Sequence, residues 1–307
     1  GTDTTNFFGT SGNDAVLLRN LAGSVKLQGL GGNDVVAFEN SSRVVSGYSL
    51  SGGSGNDTIG GTAALVDSLI NGNRDNDSIS TAGATNSSVF GGAGVDTINF
   101  AGLTESSFVQ GGLGDDTINV SGSLVNTIVN GNSGDDVIKV VAGFSSMSGS
   151  TLCGGAGNDV IDASLATSGV VMAGDFGNDT LIAGGGDDTM TGGADADTFV
   201  VGVTGRGDVI TDFTSGVDKI DSVAVTSLEK GNTAFSTLDQ ALALSLTNGS
   251  NHKVVAVGSG SAFTAYLLVD TTSGGGTRAE TAIQLGGVGQ FTDVNQALAT
   301  INQADLI

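Results

Sequence analysis

Aspartate recurs in this chain at a spacing that suggests shared chemistry. It stands at positions 14, 34, 57, 77, 96, 116, 136, 159, 179, 188 and 197, each time in the sixth place of a nine-residue unit such as GGAGVDTIN, GGLGDDTIN or GGAGNDVID. The units begin at Gly9, Gly29, Gly52, Gly72, Gly91, Gly111, Gly131, Gly154, Gly174, Ala183 and Gly192, in steps of 20, 23, 20, 19, 20, 20, 23 and 20, then 9 and 9. Of 32 acidic residues only four are Glu (39, 105, 229 and 280). A surface acidic for solubility alone would mix the two, whereas a tight turn returning a carboxylate to its own backbone needs the shorter side chain. The neighbours Asp115–Asp116, Asp135–Asp136 and Asp187–Asp188 invite an acid–base reading, but places five and six of a repeated turn explain them better. Carboxylates among crowded carbonyls are hard oxygen ligands, suited to a hard divalent cation.

Those ligands have to be positioned by the elements around them. The first six places of each unit are turn chemistry, with Gly supplying positive φ and letting backbone oxygens crowd one point. Place eight is always apolar: Val16, Val36, Ile59, Ile79, Ile98, Ile118, Ile138, Ile161, Leu181, Met190 and Phe199. A second apolar row, from Phe7 and Leu27 to Leu152 and Met172, lies two residues before most turns. Each period then holds two short strands flanking the Asp turn, and a plainer, metal-free loop closes the coil. Such coils stack as an all-β, right-handed parallel β-solenoid with both rows facing a narrow interior. The three-residue excesses in the periods from Gly29 and Gly131 should bulge from the plain loop. Stacking at about 4.8 Å puts the carboxylates in a column, where neighbours repel by on the order of 3 kcal/mol per step at an effective dielectric of 20. A divalent cation between successive turns reverses that sign, and the donor set favours Ca²⁺. Asp188 with Asp208 would make a further site on the opposite side. About ten Ca²⁺ would bring the formal charge of −22 close to zero.

The nonapeptide G-G-x-G-x-D-x-U-x resembles the signature of the RTX (repeats-in-toxin) family, a Ca²⁺-binding β-helix repeat. The resemblance implies that Ca²⁺ sits between stacked turns, held by the sixth-place Asp and the carbonyls of the glycine turn. On that reading the ligands are Asp14, Asp34, Asp57, Asp77, Asp96, Asp116, Asp136, Asp159, Asp179, Asp188, Asp197 and Asp208. The accompanying glycines are Gly52, Gly91, Gly111, Gly131, Gly154, Gly174 and Gly192 in the first place. Gly53, Gly92, Gly112, Gly155 and Gly193 take the second place, and Gly55, Gly94, Gly114, Gly134, Gly157, Gly177 and Gly186 the fourth. Asp75 and Asp195 depart from the pattern by replacing fourth-place Gly. The 20-residue period also departs from the family's 18-residue coil with metal on both sides; only residues 174–200 keep two consecutive nine-residue steps. Residues 205–221, GRGDVITDFTSGVDKID, resemble the segment that ends RTX arrays in type I-secreted proteins. The expected division is therefore a Ca²⁺-binding roll over 1–221 and a small mixed α/β cap with the export-signal region over 222–307. In that tail the pattern reads as helices near 236–247 and 292–302 and strands near 253–257, 263–269 and 281–285.

Composition limits the alternatives. Of 307 residues 52 are Gly, none is Pro or Trp, and 38% are hydrophobic in register, which excludes disorder. Ten scattered Lys and Arg form no phosphate-binding patch, so nucleic acid is not an expected partner. No 18-residue apolar run exists to enter a membrane. A start at Gly1 without Met or signal peptide reads as a fragment or processed product. His252 is the lone histidine and no zinc-protease motif accompanies it, so it reads as a strand-edge surface residue. Cys153 reads as an outward, unreactive thiol. Catalytic residues are not expected.

The reading that follows is a non-enzymatic, extracellular, Ca²⁺-folded structural module exported by the type I secretion machinery. It resembles most the C-terminal part of a self-assembling bacterial surface-layer (S-layer) protein at the cell surface. The alternative is the C-terminal Ca²⁺-binding and secretion module of an exported enzyme (serralysin-like protease, lipase or alginate-epimerase type), or an adhesin stalk.

Overall fold

Each period becomes one coil because its apolar residues alternate with polar ones on either side of a glycine turn, and the next coil repeats them in register. The computed structural model describes residues 4–21, 23–40, 44–102, 104–201, 207–221, 228–235, 252–259, 262–269, 281–286 and 305–306. It is an all-β parallel solenoid without an α-helix among the described residues. The chain divides into two compact units, Gly1–Leu165 and Ala166–Ile307.

In the first unit, the strands entering the turns stack in parallel from Thr5–Phe8 through Tyr48–Ser54 and Phe108–Leu113 to Thr151–Ala156. The strands leaving the turns form a second parallel sheet from Ala15–Arg19 to Val160–Asp162. Registers match the sequence repeat: Leu27, Leu50, Ile70, Val89, Val109, Val129 and Leu152 lie side by side, as do Val36, Ile59, Ile79, Ile98, Ile118, Ile138 and Ile161. Both rows are buried. In the first coil, Phe7 and Val16 are only half-buried.

The closing segment is not a plain loop. It carries a third parallel sheet of two- and three-residue strands: Val44–Ser46, Ala64–Val66, Ala84–Thr85, Thr104–Glu105, Ser123–Val125 and Ser146–Ser148. Their inward residues Val45, Leu65, Ala84, Thr104 and Leu124 are buried. The extra residues of the period from Gly131 fall between Val137–Val140 and Ser146–Ser148, leading into this third strand. Those of the period from Gly29 fall on residues 41–43, outside the described residues.

After the third strand the chain turns through a left-handed residue, among them Asp67, Asn86, Ser106 and Asn126 (φ 46° to 49°). A hydroxyl follows each one. Ser68, Ser87 and Ser107 accept the N–H of Tyr48, Ser68 and Ser87, and Thr127 that of Ser107, at 3.0 to 3.4 Å. Each donates in turn to the carbonyl two residues earlier in its own coil, at 2.7 to 3.0 Å. This corner is held by a neutral ladder in which each hydroxyl both donates and accepts.

In the second unit, Val171–Phe176, Thr189–Ala194 and Val209–Ile210 stack in parallel, as do Thr180–Ile182, Thr198–Val200 and Lys219–Asp221. Thr281–Leu285 adds to Val209–Ile210 in parallel, and Ala262–Val269 joins it antiparallel. Strands occur where the tail pattern placed them, at His252–Ser259, Ala262–Val269 and Thr281–Leu285. The helices expected near 236–247 and 292–302 lie outside the described residues, as does the side chain of His252. Cys153 is half-buried on an outward row, paired with Asn130.

Candidate metal centre

The candidate metal ligands gather at the glycine corner. The sixth-place carboxylates of the first unit form one unbroken hydrogen-bonded column. Oδ1 of Asp34 accepts the backbone N–H of Asp14 at 2.8 Å, and Asp57, Asp77, Asp96, Asp116, Asp136 and Asp159 each accept that of the Asp one coil earlier at 2.7 Å. From Asp34 onward these residues are buried, at 1 to 3% exposure.

The second oxygen is different. Oδ2 of Asp34, Asp57, Asp77, Asp96, Asp116 and Asp136 is buried without any hydrogen-bond partner. A carboxylate oxygen in that state costs several kcal/mol if charged. Each of these atoms occupies the space of a missing side chain. A β-carbon on Gly29, Gly52, Gly72, Gly91, Gly111 or Gly131 would overlap Oδ2 of its own turn's Asp. The carbonyl of the next coil converges on the same point: a β-carbon on Gly91 would fall 2.6 Å from the Gly111 oxygen, and one on Gly52 2.8 Å from that of Gly72. Only glycine leaves room for that oxygen cradle. Among the described residues, no three Asp, Glu, His or Cys side chains converge on one point. A cation in a gap would therefore need backbone carbonyls to complete its shell, and the cradle supplies them.

At Asp14 in the first unit and Asp218 in the second, the second oxygen is satisfied locally. Thr10 donates its N–H and hydroxyl to Asp14 Oδ2 at 2.6 and 3.0 Å, and Thr214 N–H donates to Asp218 Oδ2 at 2.6 Å. In the second unit Asp197 accepts from Asp179 at 3.0 Å, and Asp218 accepts from Asp197 at 3.1 Å. Asp218 is a member that sequence reading missed. Its signal was present in FTSGVDKID, where Gly216 holds the fourth place (φ 86°), Asp218 the sixth and Ile220 the buried eighth.

The two nine-residue steps place Asp188 in a separate column. There Asp188 accepts from Val170 N–H at 2.8 Å and Asp208 from Asp188 N–H at 3.0 Å. Oδ2 of Asp208 has no partner, whereas Gly184 N–H reaches Oδ2 of Asp188 at 3.0 Å. The sequence pairing of these two residues is thereby matched in space.

Burial dominates the electrostatics. It pushes the carboxyls of Asp77, Asp116 and Asp136 up to about 7 despite an opposing backbone hydrogen bond, with adjacent aspartates adding to the rise. Asp197 and Asp208 rise to about 6 for the same reasons. Asp57, Asp96, Asp188 and Asp218 are also raised, chiefly by burial. Without an added positive charge the column favours protons.

An outer ladder runs beside the column in the opposite sense. Fifth-place Asn13, Asn33 and Asn56 accept the N–H of Asn33, Asn56 and Asn76 one coil later, at 2.8 to 3.2 Å, and Asp115 accepts that of Asp135. Backbone dihedrals follow the glycines. Second-place Gly53, Gly92, Gly112, Gly155 and Gly193 lie between 108° and 132°, and fourth-place Gly55, Gly94, Gly114, Gly134, Gly157, Gly177 and Gly186 between 106° and 145°. The substitutes Asp75 and Asp195 keep φ at 70° and 80°, a region Asp tolerates better than most residues.

Stacked glycine turns between parallel strands, with buried, half-satisfied carboxylates at each turn, define a β-roll with candidate cation gaps. The family model of the RTX calcium-binding nonapeptide repeat matches this chain in four copies, over residues 49–63, 151–165 and 171–202. The chain thus carries RTX repeats, and these imply Ca²⁺ binding by a module of the kind found in type I-secreted proteins. A search of curated proteins found no match.

Proposed function

We propose that this chain is a non-enzymatic, extracellular structural module that folds on Ca²⁺, and that it forms the C-terminal part of a self-assembling surface-layer protein. The observation that carries the Ca²⁺ role is the contrast between corners: hydroxyls satisfied on both sides at one, buried carboxylate oxygens left over at the other. The ligands on this reading are the sixth-place aspartates, Asp208 and the turn carbonyls, with Asp218 added, and the ions number about ten. Residues 222–307 serve as cap and export-signal region.

Cytosolic Ca²⁺ is micromolar or lower, which leaves the column unpaired and the chain unfolded for passage through an export channel. Outside, millimolar Ca²⁺ exceeds the 10⁻⁴–10⁻³ M dissociation constants of extracellular modules. Each ion bound only by the folded state adds RT ln(1 + [L]/Kd), about 1.4 kcal/mol at ten times Kd. Electron microscopy of the purified chain in millimolar Ca²⁺ should show a two-dimensional lattice. Monomers at high concentration would instead favour a secretion module attached to an exported enzyme.

A further inference from the structure

We infer that the outward face of the first sheet, centred on Leu69, Phe90, Phe108 and Ile128, is the surface by which two copies of this chain meet. The inference rests on the self-assembly reading and names its contact. Two outward rows cross the middle of the first unit. One runs from Ser49 through Leu69, Ser88, Phe108 and Ile128 to Thr151, the other from Ser51 to Cys153. Neither row holds a charged side chain, although the chain has 32 acidic and 10 basic residues. Charges flank the field without entering it: Lys26 stands beside Ser49 where the first row begins, Asp67 at the corner before Leu69, and Arg74 at the turn.

Within this neutral field the four large apolar residues touch or adjoin. Leu69 is 38% and Ile128 46% exposed, and the rings of Phe90 and Phe108 meet edge to face at 6.1 Å. Scattered surface apolar residues need no explanation, but a contiguous group inside an uncharged field marks a contact surface. Charge selects the occupant. A basic partner would be drawn to the acidic turns, whereas two copies of a chain with formal charge −22 can approach closely only across a face that carries none. Six strands about 4.8 Å apart, each presenting two outward residues about 6.7 Å apart, bury about 400 Å² per copy. Counted over both copies, about 800 Å² falls short of the roughly 1,000 Å² that a stable pair needs, so the contact is weak in a pair and acts by repetition.

Sedimentation velocity of the full chain in millimolar Ca²⁺, across a concentration series, tests this. Wild type should associate reversibly, and Ile128→Lys and Phe108→Ser should each shift the midpoint at least about tenfold higher, with circular dichroism and Ca²⁺ midpoint unchanged. Thr97→Lys, outward on the second sheet, should change nothing. A wild type that stays monomeric, association that survives Ile128→Lys, or an equal loss in Thr97→Lys would overturn the inference. A lattice that survives Ile128→Lys would refute this face while sparing the scaffold reading. Dimers that are lost in Ile128→Lys but never tile would refute the scaffold and spare the face.

Discussion

A carboxylate and a hydroxyl occupy equivalent duties at two corners of each coil, yet only one of them is complete. Ser107 has one oxygen, which accepts from Ser87 and donates to Glu105. Asp116 has two, and after Oδ1 accepts from Asp96 the other remains. Asp116→Ala should therefore raise the Ca²⁺ midpoint for folding clearly more than Asp115→Ala, because the fifth-place side chain bonds only along the outer ladder. Each sixth-place Asp borders two gaps, so the loss in saturating Ca²⁺ should be about 3 kcal/mol, read by urea unfolding. Equal effects would overturn the ligand assignment. Gly111→Ala should act like Asp116→Ala, since its β-carbon would displace Oδ2, whereas Gly12→Ala, whose β-carbon meets only Thr10 Oγ1 at 3.8 Å, should be nearly silent. The sixth-place residues were legible because turn chemistry at fixed spacing constrains types tightly. Asp218 escaped only because first- and second-place glycines are absent from its turn.

At the level of the coil, the two flanking strands were readable from rows of Ile, Val and Leu two residues apart. The third strand was not. A two-residue strand such as Ala84–Thr85 is too short to show alternation, and its corner is marked only by a polar residue in a left-handed turn followed by Ser or Thr. The ladder of buried acids also carries a pH signature. Asp77, Asp116 and Asp136 hold protons up to about 7 in the metal-free coil but only to about 3.8 when unfolded. Across that window the folded state binds more protons, so the stability of the metal-free coil falls as pH rises and the loss is complete above about 7. In EGTA, circular dichroism should show more β structure at pH 4.5 than at pH 7.5. With Ca²⁺ present the Ca²⁺ midpoint should rise as pH falls below about 7, because protons compete for the same oxygens. An apo signal independent of pH would contradict the burial argument.

Over the whole molecule, stability depends on many equal increments. Nearest-neighbour coils couple through the same column, so removal of metal at neutral pH should unfold the roll in one sharp transition. Titration with EGTA followed at 218 nm, a wavelength at which β-sheet absorbs differentially, should show a sigmoidal loss toward largely disordered chain; a gradual, coil-by-coil decline would speak against shared ions.

The second unit folds part of its own tail across one margin of the first sheet's strands. Gln284 and Gly286 donate to Asp208 and Ile210, Leu306 bridges to Ile220, and Asp305 receives Ser215 Oγ at 2.7 Å and Gly216 N–H at 3.0 Å. The hydrogen-bonding rim beyond Val209–Ile210 is thereby occupied by the chain's own tail. A neighbour cannot pair with Val209–Ile210 as one more rung; among the described strands the sheet's margin on that side is passed on to Leu228–Phe235.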